Sequence, residues 1–263
     1  MNLDIPKVMG ILNVTPDSFY SLSRVETAKT IEDKVKRMID EGVDIIDVGG
    51  CSTRPGFVEP SEEEEIDRVK RGCEIVRTIS EDVPLSVDTF RANVASKVID
   101  EFSADIINDI SGGEDPEMWD LIAEKNVAYV LTHNKFEKEE NKLGEVTADV
   151  IREISYKLNE IYRKGVKDVI IDPGFGFGKT TEENFCILSE LENFSYIGRP
   201  LLIGISRKSM ITKTLGINAE ESLIGTVALE TVALIKGADI LRVHDVKETK
   251  EIVKLYSRLK DQV

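Results

Sequence analysis

Apolar positions along this chain alternate between two textures. Short runs of strand length recur at V-M-G-I-L-N-V (8–14), D-I-I-D-V (44–48), P-L-S-V-D-T (84–89), D-I-I-N-D-I (105–110), A-Y-V-L-T-H (128–133), D-V-I-I-D-P (168–173), L-L-I-G-I-S (201–206) and D-I-L-R-V-H (239–244). Longer segments between them carry apolar residues at spacings of three and four, the period of a helix. Glu63 to Ser80 places Ile66, Val69, Cys73, Val76 and Ile79 on one face. Ala148 to Gly165 does the same with Ile151, Ile154, Leu158, Ile161 and Tyr162. Gly42, Gly165 and Gly237 each stand where a helix gives way to a strand, the place for a left-handed cap. Alternating strand and helix predicts a parallel sheet. Eight repeats predict an α/β fold, a (β/α)8 barrel of one domain over residues 1–263, with a doubly wound sheet as the rival.

Composition narrows the function. The 263 residues are 41% hydrophobic, enough for a large core. Acids outnumber bases 49 to 34, a net charge of -15, which argues against nucleic acid or an anionic membrane as partner. No basic-then-apolar leader opens the chain. The most apolar stretch, around 226–237, is broken by Glu230 and Lys236, so no membrane span is expected. Three widely spaced cysteines, Cys51, Cys73 and Cys186, suit a reducing cytoplasm. The run Glu62 to Glu65 reads as a helix first turn facing the helix dipole.

In a (β/α)8 barrel the C-terminal strand ends form one rim, where polar residues read as catalytic. Here the ends deliver N-V-T-P-D-S-F (13–19), D-V-G-G-C-S-T-R-P-G (47–56), Asp88, Asn108 with Asp109, His133, Asp172, Ser206-Arg207-Lys208, and Arg242 with His244. One such group could cap a loop. Eight strand ends of them imply a ligand, because burying so many unpaired polar groups is costly. D-P-G-F-G-F-G-K (172–179) invites a phosphate-loop reading, but the spacing fails. The first required glycine falls at Pro173, which has no N–H to offer. Lys179 is expected to point into the start of a helix. Asp172 can instead accept two parallel hydrogen bonds from a planar N–H-rich edge, with Asn108 and Asp88 beside it. Arg54, Lys208, Arg242 and His244 gather positive charge on an acidic protein, which suits an anionic tail.

Seven segments in order, N-V-T-P-D-S-F (13–19), G-G-C-S-T-R-P-G (49–56), S-V-D-T (86–89), I-N-D-I-S-G-G (107–113), D-P-G-F-G-F-G-K (172–179), G-I-S-R-K-S (204–209) and R-V-H-D-V (242–246), span nearly the whole chain and resemble the dihydropteroate synthase family. The resemblance implies a homodimeric, Mg²⁺-using barrel. Its reaction joins 4-aminobenzoate to dihydropterin-methyl diphosphate and releases pyrophosphate. It implies pterin binding by Asp88, Asn108, Asp172 and Lys208, and diphosphate binding by Asn13, Arg54, Arg242 and His244. Asn13 would also meet the metal. Thr53, Pro55, Phe177 and Ser206 would face the aminobenzoate. Asp17, Lys208, Arg242 and His244 would be the catalytic set. Three places depart from the family pattern: Cys51 stands for Glu or Gln, Thr132-His133 for Met-His, and Tyr20-Ser21-Leu22-Ser23-Arg24 for the usual Ser-Asp-Gly continuation. Two other readings stay open, a methyltetrahydrofolate–corrinoid methyltransferase and a pterin-binding paralogue without synthase activity.

Overall fold

A computed structural model describes residues 3–15, 24–51, 59–134 and 145–260, with the side chains of 24–27 excepted. The elements alternate as the pattern predicts: β1 (Lys7–Asn13), α1 (Arg24–Asp40), β2 (Ile45–Gly49), α2 (Glu62–Ile79), β3 (Leu85–Asp88), α3 (Ala92–Phe102), β4 (Ile106–Asp109), α4 (Met118–Lys125), β5 (Ala128–Thr132), α5 (Val146–Arg163), β6 (Val169–Asp172), α6 (Thr181–Ser189), β7 (Leu202–Ile203), α7 (Ser209–Leu215), α8 (Leu223–Ile235), β8 (Ile240–Val243) and α9 (Val246–Lys260).

The eight strands are parallel, in the order β6-β5-β4-β3-β2-β1-β8-β7. A single bridge, Ile171 to Leu201, brings β6 against β7 and turns the row into a barrel. That order excludes the doubly wound alternative. Gly42, Gly165 and Gly237 take φ of 82°, 96° and 99°, as the helix-ending assignment requires.

The strands build the interior in layers because their side chains alternate with a period of two. Met9, Ile45, Ile106, Val130, Ile170, Leu202 and Ile240 form one closed apolar cluster, with residues from seven strands. It plugs the lower barrel. Two residues further along, on the same face, come Ile11, Asp47, Asn108, Thr132, Asp172, Gly204 and Arg242. An apolar floor therefore carries a polar layer directly above it.

Outside, helices cover the sheet with the faces the spacing picked out. Val69, Cys73 and Val76 of α2 are buried, as are Ile154, Leu158 and Ile161 of α5. The acidic start of α2 does more than meet a dipole. Ser61 and Glu64 form a reciprocal capping box, and Glu65 is fully buried, accepting from Thr89 Oγ1 at 2.6 Å and Arg91 Nη1 at 2.5 Å. Among the described residues no helix is long and apolar enough to cross a membrane.

Glu230 lies buried between α8 and α9, where Thr249 Oγ1 donates to Oε2 at 2.9 Å. Its Oε1 has no partner among the described residues. Burial raises its pKa to about 8. The folded state then holds a proton that the unfolded state has released, so stability falls as pH rises from the unfolded carboxyl pKa towards 8. Thermal denaturation should show Glu230→Gln gaining Tm over wild type at pH 8.5, with the gap closing at pH 5. An equal shift at both pH values would refute a protonated Glu230.

Candidate active site

Asp47 is the centre of the polar layer. It is fully buried on β2, and every oxygen is engaged. Oδ1 accepts from Ser86 Oγ at 2.6 Å; Oδ2 accepts from Asn108 Nδ2 at 3.1 Å and Arg242 Nε at 2.7 Å. The Arg242 guanidinium also donates from Nη2 to Asp88 Oδ2 at 2.5 Å. Four strands are thereby tied together inside the barrel. Burial disfavours the Arg242 cation, but Asp47 and Asp88 outweigh it and raise its pKa. Burial likewise raises Asp88, to about 7, against the pull of Arg242. Asp47 was not singled out by sequence. Its signal was an acid inside the apolar run D-I-I-D-V.

Asp172 ends β6 almost buried, with Oδ1 accepting from Gly174 N at 2.7 Å. Burial raises its pKa, opposed first by Lys208. The glycines after it serve backbone geometry. Gly174 has φ of 70°, and a Cβ there would lie 1.9 Å from the His133 carbonyl oxygen. Gly176 and Gly178 also have positive φ, 84° and 61°.

The two lysines occupy different places around the loop. Lys208 Nζ donates to the Phe175 carbonyl and stands 4.7 Å from the centre of the Phe177 ring. Lys179 does not point away into the helix. It turns back under the loop and donates to the carbonyls of His133, Gly174 and Phe177 at 3.2, 2.9 and 3.1 Å. The Gly174 carbonyl also accepts from Phe177 N at 3.1 Å, so the ammonium adds to a bond the turn already makes there. Burial lowers Lys179 to about 7 and Lys208 to about 8.

At the other side of the rim, Ser206 Oγ lies 3.1 Å from His244 Nδ1 and accepts from His244 N at 3.2 Å. Ser206 is thus engaged with the predicted diphosphate group rather than standing alone on the aminobenzoate side. His244 is also not a cation at neutral pH. Withdrawal from water, then Arg242 and Lys34, lower its pKa to about 4. Asn13, Asp88, Lys208, Arg242, Ser206 and His244 line one pocket of about 720 Å³. Cys51 lines it too. Its thiol hydrogen-bonds Glu65, and burial pushes its pKa up to about 12. Asp17, Thr53, Arg54, Pro55 and the substituted first-loop segment up to Ser23 lie outside the described residues.

Magnesium has a plausible donor in Asn13. Its amide oxygen is a hard ligand beside Arg242 and His244, and no three His, Cys, Asp or Glu residues cluster as a protein cage among the described residues. That suits an ion held by one side chain and substrate phosphates.

Asp172→Ala should abolish pterin binding in a calorimetric titration, since two ligand donors lose their acceptor at about 1–3 kcal/mol each. Retained affinity would remove Asp172 from the site. Lys179→Met should lower Tm and weaken pterin binding through the loop, whereas Lys208→Met should depress turnover with Tm little changed. The reverse pairing of effects would count against both roles.

The comparisons with known proteins agree with this geometry. Residues 9–244 match the family of pterin binding enzymes. The chain is 44% identical over 254 residues to dihydropteroate synthase of Clostridium beijerinckii, covering 94% of this chain and 92% of that protein. It is 42% identical over 253 residues to the Bacillus subtilis dihydropteroate synthase, covering 94% and 86%. The Xanthomonas albilineans dihydropteroate synthase solved with 4-aminobenzoic acid superposes with a TM-score of 0.91, at 35% identity, over 99% of this chain and 95% of that one. With Asp88, Lys208 and Arg242 gathered in one pocket and relatives of this similarity across nearly its whole length, the chain belongs to the dihydropteroate synthase family of pterin-binding transferases, the enzymes of folate biosynthesis.

Proposed function

We propose that the described rim residues divide the synthase reaction between its two substrates as follows. The observation that carries this is the joining of Asp47, Asn108, Asp88 and Arg242 in one hydrogen-bonded layer. Asp172, Asn108 and Asp88 offer acceptors to the N–H-rich pterin edge, and Lys208 offers a donor. Arg242 stays charged at any working pH and faces the diphosphate. His244, neutral, can accept the Ser206 hydroxyl proton at Nδ1 and present an Nε2–H to a phosphate oxygen. Phe177, whose ring lies under the Lys208 ammonium, serves the aminobenzoate side, a role the family resemblance also gives to Thr53 and Pro55, as it gives diphosphate binding to Arg54 and a catalytic role to Asp17.

The chemistry is a substitution at the pterin methylene. The carbon–oxygen bond to diphosphate breaks, pyrophosphate leaves with the electron pair, and the arylamine nitrogen bonds to the methylene and then releases a proton. The pterin ring disperses positive charge on that carbon, and buried Asp172 and Asp88 favour it electrostatically. Arg242, His244 and Arg54 stabilise the leaving group, while the pocket walls hold the amine in line. Magnesium at Asn13, when bound, supplies further neutralisation of the departing phosphates.

We further propose a cytoplasmic homodimer. None of the three cysteines is in a disulfide. α7 and α8 expose Leu215, Ile224 and Ile235, at 54%, 84% and 64%, an apolar face that a second copy would cover. Light scattering should give a dimer mass, and Ile224→Glu a monomer; a monomeric wild type would refute this.

Pyrophosphate release should require both substrates and fall sharply on chelation of magnesium. Turnover that survives chelation would exclude the metal role. Pterin binding without pyrophosphate release would favour the non-catalytic paralogue.

A further inference from the structure

Helix α1 turns Ile31, Val35 and Met38 into the core at steps of four and three. Lys34 falls on the same stripe, where an apolar residue is the usual choice. Its stem can lie along the apolar surface while the ammonium reaches to an opening. That opening is the rim pocket, which Lys34 lines together with Asn13, Arg242 and His244. Lys34 makes no hydrogen bond or ion pair with a described residue. The carboxylate that faces it, Asp245, is already held by Arg207 through two hydrogen bonds of 2.9 and 2.6 Å. Burial lowers Lys34 to about 8, and its charge helps to hold His244 neutral, so the two groups share one electrostatic space.

A half-buried cation without a partner is costly. Set beside Arg242 and His244, its cost is recovered when an anion arrives. We propose that Lys34 is an additional phosphate-binding residue, which takes the outer phosphoryl group of the diphosphate substrate and of the departing pyrophosphate. This rests on the rim chemistry proposed above. Glu41, Glu220 and Glu248 line the same pocket. Their negative charge would repel a long polyanion, whereas one terminal phosphoryl group needs only the cations beside it.

The test is calorimetric titration of Lys34→Met with inorganic pyrophosphate and magnesium, and separately with a hydroxymethyl pterin that carries no phosphate. Pyrophosphate binding should weaken at least about tenfold, the loss of one charge-assisted contact. Pterin binding should stay within about twofold by the same reasoning, and Lys34→Arg should restore much of the pyrophosphate affinity. Tm should not fall, because an unpaired half-buried charge has been removed. Should Lys34→Met fail to fold, Lys34→Gln is read against the same two ligands. Unchanged pyrophosphate affinity in a folded variant, or an equal loss for the phosphate-free pterin, overturns the assignment. If the wild type makes dihydropteroate and the variant binds pyrophosphate normally, only Lys34 is misassigned; if the wild type makes none, the rim chemistry itself fails.

Discussion

The guanidinium of Arg242, shared between Asp47 and Asp88, is the contact on which the site depends. Three charges in a closed barrel interior would each be costly alone. Together they satisfy one another, and they do so across strands that are far apart in sequence: Asp47 and Arg242 are separated by 195 positions. The same arrangement fixes function. By accepting from Asn108 Nδ2, Asp47 settles which way that amide is turned. With Nε held by Asp47 and Nη2 by Asp88, Nη1 is the guanidinium nitrogen these two contacts leave for a phosphate. A layer that holds its carboxylates and its guanidinium in place before any ligand arrives is thus preorganised for a ligand that is cationic in character at one end and anionic at the other.

The β6 loop applies the same economy to backbone. A carboxylate at the strand end needs a tight turn to leave its pocket side open, and that turn brings Gly174 against the His133 carbonyl. Positive φ at three glycines makes the turn, which brings the carbonyls of His133, Gly174 and Phe177 towards one point. Lys179 donates to all three. What reads in one dimension as a nucleotide loop is a glycine turn pinned from beneath by its own lysine.

Period and punctuation made the fold legible. The strand runs, the three helix-ending glycines and the stripes of α2 and α5 all report local geometry, which a single segment carries in itself. Asp172, Asn108, Asp88, Lys208 and Arg242 were legible because rim positions are defined by strand ends. Asp47, Glu65 and Lys34 were not. Asp47 sits in an apolar strand run and Lys34 on the apolar stripe of α1, while Glu65 belongs to an acidic run that reads as a helix first turn; for each, the partner or opening comes from a distant element: Arg242 for Asp47, Arg91 and Thr89 for Glu65, the rim pocket for Lys34. His244 was misjudged for the same reason. Its charge state depends on Arg242 and Lys34, which only the closed barrel brings near it.

That last dependence links binding to charge. An imidazole kept neutral by burial first, and then by the cations around it, donates to phosphate without adding a further charge that must be desolvated. The fixed cations, Arg242 above all, then carry the electrostatic load, and Asp47 and Asp88 keep Arg242 in place when no anion is there to do so. Substituting a carboxylate in this layer therefore acts at two removes. It weakens the pterin end directly, and it frees a guanidinium whose position the diphosphate end requires. The two halves of one substrate are read by groups that are bonded to each other, so recognition of ring and tail is coupled through the barrel interior.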